Sequence, residues 1–277
     1  MAKKTEETLP AVVENAEVAT GSIPEWMQED SVAMSNAGLE EIKSGDMTIP
    51  RLALAQSTSD EQKEGHTKYI EGLKAGQFFN TLTKEIYGKG PLLITPLFMK
   101  RHRRLFTPRD QGSATLCISD NGITVGAVGK KLHAPTCANC PKSQFSTDAS
   151  GKPVRPECTL FYSYVVVLHL GNSRFMPMML SLKSKMVKSA QDWNALMRLR
   201  QTAAFTGVYT VESFLDNAAA GNFYNLRIAN RGIIEDKTRY EEAKDLFNAL
   251  RDKIDTVVRE TVSTNDDEVV DAEEVPF

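Results

Sequence analysis

No stretch of this sequence holds the roughly 20 consecutive apolar residues that a membrane-crossing helix needs. Met1 to Pro10 is polar and has no apolar core, so no secretion signal is expected. Cysteines are scarce, four in 277 residues, too few for a secreted disulfide scaffold. Inside a cell such a set more often binds metal or does redox work. The chain also lacks a Gly-x-x-x-x-Gly-Lys-Ser/Thr phosphate loop, a Gly-x-Ser-x-Gly elbow and a His-Glu-x-x-His helix. His133 is followed by Ala134-Pro135, which rules out the His-x-Glu of zinc deaminases. No cluster of carboxylates stands ready for a metal nuclease. We therefore expect a binding protein, not an enzyme.

The net charge of -3 conceals a strong asymmetry. Residues 1–47 carry ten acids against three lysines, a balance of -7. Residues 260–277 carry seven acids and no base, again -7. Residues 48–259 hold 30 Lys and Arg against 19 Asp and Glu, a balance of +11. A basic core between acidic ends suits a polyanionic partner. A solvated surface with unevenly placed charge is the plain alternative.

The pattern along the chain divides it into four parts. Residues 1–47, rich in Glu, Ala, Ser and Thr, read as a disordered acidic arm. Residues 48–237 read as a β-rich core with an insert at 117–158 that contains all four cysteines. Residues 238–262 read as a C-terminal helix and 263–277 as an acidic tail. Within the core, Pro91 to Lys100 reads as a strand with Pro96 at an edge or bulge, continued by Arg101 to Arg109. Thr159 to Leu170, rich in β-branched and aromatic residues, is the strongest strand, and Arg174 to Lys183 is its hairpin partner. Ser184 to Phe205 has helical spacing, with Ser184 as N-cap and Gly207 as terminator. Asn222 to Ile228 alternates as a strand. Thr238 with Glu241 resembles a capping box. Strands in series, a loop-rich insert and late helices suggest a mainly β fold, an OB-like barrel with a zinc-binding insert and added helices.

Three groups of residues carry chemistry. Cys137-Ala138-Asn139-Cys140 is a Cys-x-x-Cys knuckle, with Cys117 twenty residues before it and Cys158 eighteen after. Two thiolates of a knuckle bind one ion and two further ligands close a tetrahedron, so a structural Zn²⁺ on Cys117, Cys137, Cys140 and Cys158 is expected. His133 is a rival fourth ligand, and a redox dithiol or unligated thiols are the alternatives. The second group is Lys100-Arg101-His102-Arg103-Arg104 between Phe98 and Phe106. In a strand Phe98, Lys100, His102, Arg104 and Phe106 share a face, while Arg101 and Arg103 face away. Cations neutralise phosphates and rings stack on unpaired bases, which is what a single strand requires. Core packing of the two rings is the competing reading. Tyr162, Tyr164, Phe175, Phe223 and Arg227 are further candidates; core packing is the plain reading for each singly, and Phe223 with Arg227 is the best pair. Lys183, Lys185 and Lys188 open a helix, where a solvated face is the plain reading and phosphate contact the alternative.

The third group is the C-terminus, where Asp266 to Phe277 holds six acids and no base. Its end, Pro276-Phe277, places a rigid aromatic anchor beside a carboxylate, suited to a basic-walled pocket on a partner. Bacterial single-stranded DNA-binding proteins end in acidic residues followed by Ile-Pro-Phe, and the ending Glu273-Glu274-Val275-Pro276-Phe277 resembles theirs. Phage counterparts also end in acidic tails, and some carry a zinc knuckle in an OB-fold. Ile49-Pro50-Arg51-Leu52 and Gly76-Gln77-Phe78-Phe79-Asn80 likewise look similar to segments of phage replication proteins. The resemblance implies binding of single-stranded DNA in phage DNA replication, in the host cytoplasm. It also implies recruitment of polymerase, helicase or primase through Asp271, Glu273, Glu274, Val275, Pro276 and Phe277. A recombination annealing protein, a zinc-dependent nucleic-acid enzyme and a scaffold with an acidic recruitment tail are the rival functions. Oligomeric state, a homo-oligomer included, is open.

Overall fold

A computed structural model describes residues 48–107, 115–126, 129–130, 135–170, 175–218 and 221–251, with Gly38 and Glu41 besides. The described strands are β1 (Leu52–Leu54), β2 (Phe78–Asn80), β3 (Ile86–Gly88), β4 (Leu92–Phe106), β5 (Thr115–Ser119), β6 (Ser146–Thr147), β7 (Pro153–Val154), β8 (Thr159–His169), β9 (Phe175–Lys183), β10 (Gly207–Ala218) and β11 (Gly221–Ile233). The described α-helices include α1 (Val187–Leu199) and α2 (Lys237–Arg251). Among the described residues, no helix is long and apolar enough to cross a membrane.

The fold is mainly β, but its sheets are open and no closed barrel forms among the described residues. This corrects the OB-like expectation, because the outer strands β11 and β9 do not pair with each other; the sheet is instead organised around β4. That strand spans fifteen residues, far longer than a usual strand, and serves as the spine of an antiparallel sheet ordered β11-β10-β4-β8-β9. On one side β8 follows it almost end to end. On the other side β10 takes Leu92–Ile94 and β5 takes Arg103–Phe106. The register breaks between Pro96 and Phe98, so Pro96 sits at a bulge where its missing N–H costs least.

The sheet has two different faces. Tyr162, Tyr164, Val166 and Leu168 of β8 turn to one, with Met178, Leu180 and Leu182 of β9 beside them. Helix α1 covers this face through Ala190 and Trp193, three residues apart and so on one helical side. Trp193 lies between Tyr164 and Tyr209, at 4.3 and 5.6 Å between ring centres. Val165, Val167, Leu97 and Met179 turn to the opposite face, under Ala243 and Phe247 of α2. Burying a side chain of this size contributes about 1.5–3 kcal/mol, which is why both helices dock.

Local signals differ from expectation at the helix starts. Ser184 has φ 54 and makes no side-chain cap; a short 3-10 turn over Ser184–Met186 precedes α1. At α2 the cap is Asp236, whose Oδ1 accepts the Arg239 N–H at 2.8 Å, two residues earlier than a Thr238 box would sit. Helix α1 already ends at Leu199, and Gly207 closes a separate 3-10 turn, Ala204–Thr206, before opening β10. The C-terminal helix is described only to Arg251, so its expected end at 262 lies outside the described residues, as do the acidic arm (apart from Gly38 and Glu41), His133 and the tail.

A small sheet, β1-β2-β3, has its own core of Ala55, Ile70, Leu73 and Phe79. It joins the edge of the large sheet where the Met179 N–H donates to Pro50 O at 2.8 Å. Gln56 adds a second clamp. Its Nε2 donates to Tyr224 O and its Oε1 accepts the Tyr224 N–H, at 2.9 and 2.8 Å. That clamp fixes the beginning of β11, and with it Phe223, opposite β1.

Candidate nucleic-acid interface

Between the small sheet and the end of β9 runs a groove of about 580 Å³. Among the described residues, five cations line it, Arg51, Lys68, Arg155, Lys183 and Lys185, against a single carboxylate, Glu61. Each comes from a different local cause. Arg51 is set by the pairing of its segment with Met179 of β9. Lys183 ends β9, and the left-handed turn at Ser184 swings Lys185 toward β11. There the Lys185 ammonium stands 3.9 Å from the centre of the Phe223 ring, on the groove wall. Lys183 stands 5.4 Å from the ring of Phe161. Phe161 lies outside the groove lining, but Lys185 beside the Phe223 ring sets a cation and a ring in one concave surface, the ingredients of a single-strand site.

The expected basic strand lies elsewhere and is only partly a surface. Its alternation is as read, since Lys100 pairs with Ser163 and His102 with Phe161 on one face. But His102 and Arg104 are each only 2% exposed, so this face is an interior. The His102 ring stacks on Phe161 at 4.9 Å and its Nε2 bonds Ser163 Oγ at 2.9 Å. Burial, reinforced by Arg104 and Lys100, pulls the His102 pKa down to about 3. Phe98 stacks on Phe247 of α2 at 4.8 Å, and Phe106 meets Phe161 edge-on. Tyr162 and Tyr164 belong to the core, the Tyr164 hydroxyl donating to Ala190 O and Asn194 Oδ1. Burial pushes the Tyr164 phenol well above its ordinary range. Arg101 is exposed, beside Gly122. Arg227 is exposed but is paired with Glu212 at 3.0 Å and lies over Phe214. Of the expected DNA-contacting set, Phe223 alone lines the groove. Sequence reading missed the groove's other members, apart from noting Lys183 and Lys185, because they meet only through the fold.

The four cysteines come together. Cys117, Cys137, Cys140 and Cys158 are free thiols that line one cavity of about 10 Å³, along with Arg103 and Lys142. Cys117 is brought there by the pairing of β5 with Leu105, and Cys158 by its N–H bond to Lys142 O at 2.7 Å. Burial raises the Cys158 thiol to about 11, opposed by Arg103, and burial also raises Cys117, opposed by the N–H groups of Gly126 and Gly129. The thiols face a shared space without closing on one point: among the described residues, no three His, Cys, Asp or Glu side chains are grouped tightly enough to hold a metal.

A family model described as Pam3 phage gp34-like protein matches residues 14–254. No curated protein and no solved structure matches the chain.

Proposed function

The chain belongs to the Pam3 phage gp34-like family, and from that premise we propose that it binds single-stranded DNA during phage DNA replication. The observation that carries this reading is the groove with five cations, one carboxylate and the ring of Phe223. Phosphates would meet Arg51, Lys68, Arg155, Lys183 and Lys185, and a base would stack on Phe223. The contacts are backbone charge and stacking, so sequence preference should be weak. The protein would work in the host cytoplasm, and the acidic tail ending in Pro276-Phe277 would recruit a polymerase, helicase or primase.

A gel shift with single- and double-stranded DNA, with and without Mg²⁺, tests the reading. Binding with no turnover and a strong single-strand preference supports it. Degradation of the DNA would place the protein among nucleic-acid enzymes. No binding to either form would leave a scaffold with an acidic tail.

A further inference from the structure

We propose that the cysteine cavity is a structural zinc site in which Cys117, Cys137, Cys140 and Cys158 are the ligands and Arg103 is the built-in counter-cation. The cavity, at about 10 Å³, has room for roughly one water-sized body. The described residues that line it include four sulfurs and no carboxylate, which selects a soft, thiolate-binding ion over Mg²⁺ or Ca²⁺.

The surroundings ask for negative charge. Arg103 lines the same cavity, and its buried Nε has no hydrogen-bond partner among the described residues. Four thiolates around one Zn²⁺ carry a net charge of -2. The four thiol protons leave to solvent as four Zn–S bonds form, and the guanidinium then faces an anion. Other donors are already in place. The N–H groups of Gly126 and Gly129 bond Cys117, and Gly129 is required there because a Cβ would come within 2.4 Å of the Cys117 sulfur. Ser143 donates to Cys140 O at 2.9 Å and also bonds Cys137 O, holding the knuckle. The thiols would close on the ion by turning about their Cα–Cβ bonds, the usual order of events when the metal itself completes a site. Four protein ligands leave no open position, so the ion would hold the insert together without reacting.

Elemental analysis of the full chain, purified without added metal, should find one zinc per chain. A thiol reagent should then reach all four cysteines only after a chelator is added. Exchange with Co²⁺ should give the strong visible absorption of a tetrahedral thiolate site. Arg103→Gln should keep the zinc but lose it to a competing chelator at about 10-fold lower chelator concentration, while Arg101→Gln, an exposed arginine two residues away, should not. Chelation of the unmodified chain should lower its melting temperature, a measurement that does not depend on any variant folding. Absence of metal with four freely reactive thiols, or a Cys137–Cys140 disulfide, would overturn the site. Equal zinc retention by Arg103→Gln and the unmodified chain would overturn the role of Arg103.

Discussion

The Lys185 ammonium lies over the Phe223 ring, 3.9 Å from its centre, at the wall of the groove. The two residues are 38 positions apart in sequence, and the turn at Ser184 and the Gln56–Tyr224 clamp bring them together. Phe223→Ala should weaken single-strand binding by about 1–3 kcal/mol, roughly 5- to 150-fold, by fluorescence anisotropy. Phe98→Ala should instead cost about 3 kcal/mol of stability, since its ring packs on Phe247. A Phe223→Ala protein with unchanged affinity would remove the ring from the site.

Arg155 lines the groove, and Cys158, three residues on, lines the cysteine cavity. Lys142 and Glu157, paired at 2.7 Å, tie the two segments together. Removing metal should therefore release Arg155 and weaken DNA binding. In Arg155→Gln the chelator should have no further effect on affinity, because the contact is already gone. If the chelator weakens both proteins equally, the insert acts on the groove by another route.

The tail supplies a third expectation. Residues 266–277 are acidic and joined to the core by the chain, and such tethering would give them an effective concentration at the groove in about the millimolar range. A chain ending at Asn265 should bind single-stranded DNA more tightly, most visibly at low salt, and should lose its replication partner. Weaker DNA binding with partner binding intact would make the tail a solubilising segment only.

Stability should fall in mild acid. In the unfolded chain His102 takes up a proton near its ordinary value of 6.5, whereas the folded chain delays it to about 3. Between those values the unfolded state binds more protons, so stability is complete above about pH 6.5 and declines as pH drops, by at most about 1.4 kcal/mol per pH unit. His169, lowered to about 4 by burial and Arg239, adds to the same slope. Urea midpoints between pH 7 and pH 4 should flatten in His102→Gln. An equal slope in that variant would mean that other groups govern acid unfolding.

Local pattern made part of this molecule legible. The run Thr159 to Leu170 and its partner form β8 and β9, because β-branched and aromatic residues fit a sheet buried on both faces. The apolar spacing of Tyr240, Ala243, Phe247 and Leu250 forms α2. Alternation in Lys100 to Arg104 was readable too, but burial was not. Period two says which residues share a face and nothing about what covers it, and here the cover makes His102 and Arg104 interior. The barrel expectation failed because the outer strands β11 and β9 do not pair with each other, a tertiary fact. The groove was illegible for the same reason: Arg51, Lys68, Arg155 and Lys183 share no local motif.

The central claim rests on charge neutralisation of a single strand in the groove, so its most direct test is affinity across a salt series for one oligonucleotide, single-stranded and duplexed. With about five phosphates neutralised, log K against log salt should fall with a slope near -3.5 for the single strand. The duplex should bind far more weakly. Replacing both Lys183 and Lys185 by Gln should bring the slope to about -2, since each lost contact removes about 0.7. Salt-independent binding, equal affinity for duplex, or an unchanged slope in the double variant would contradict the account.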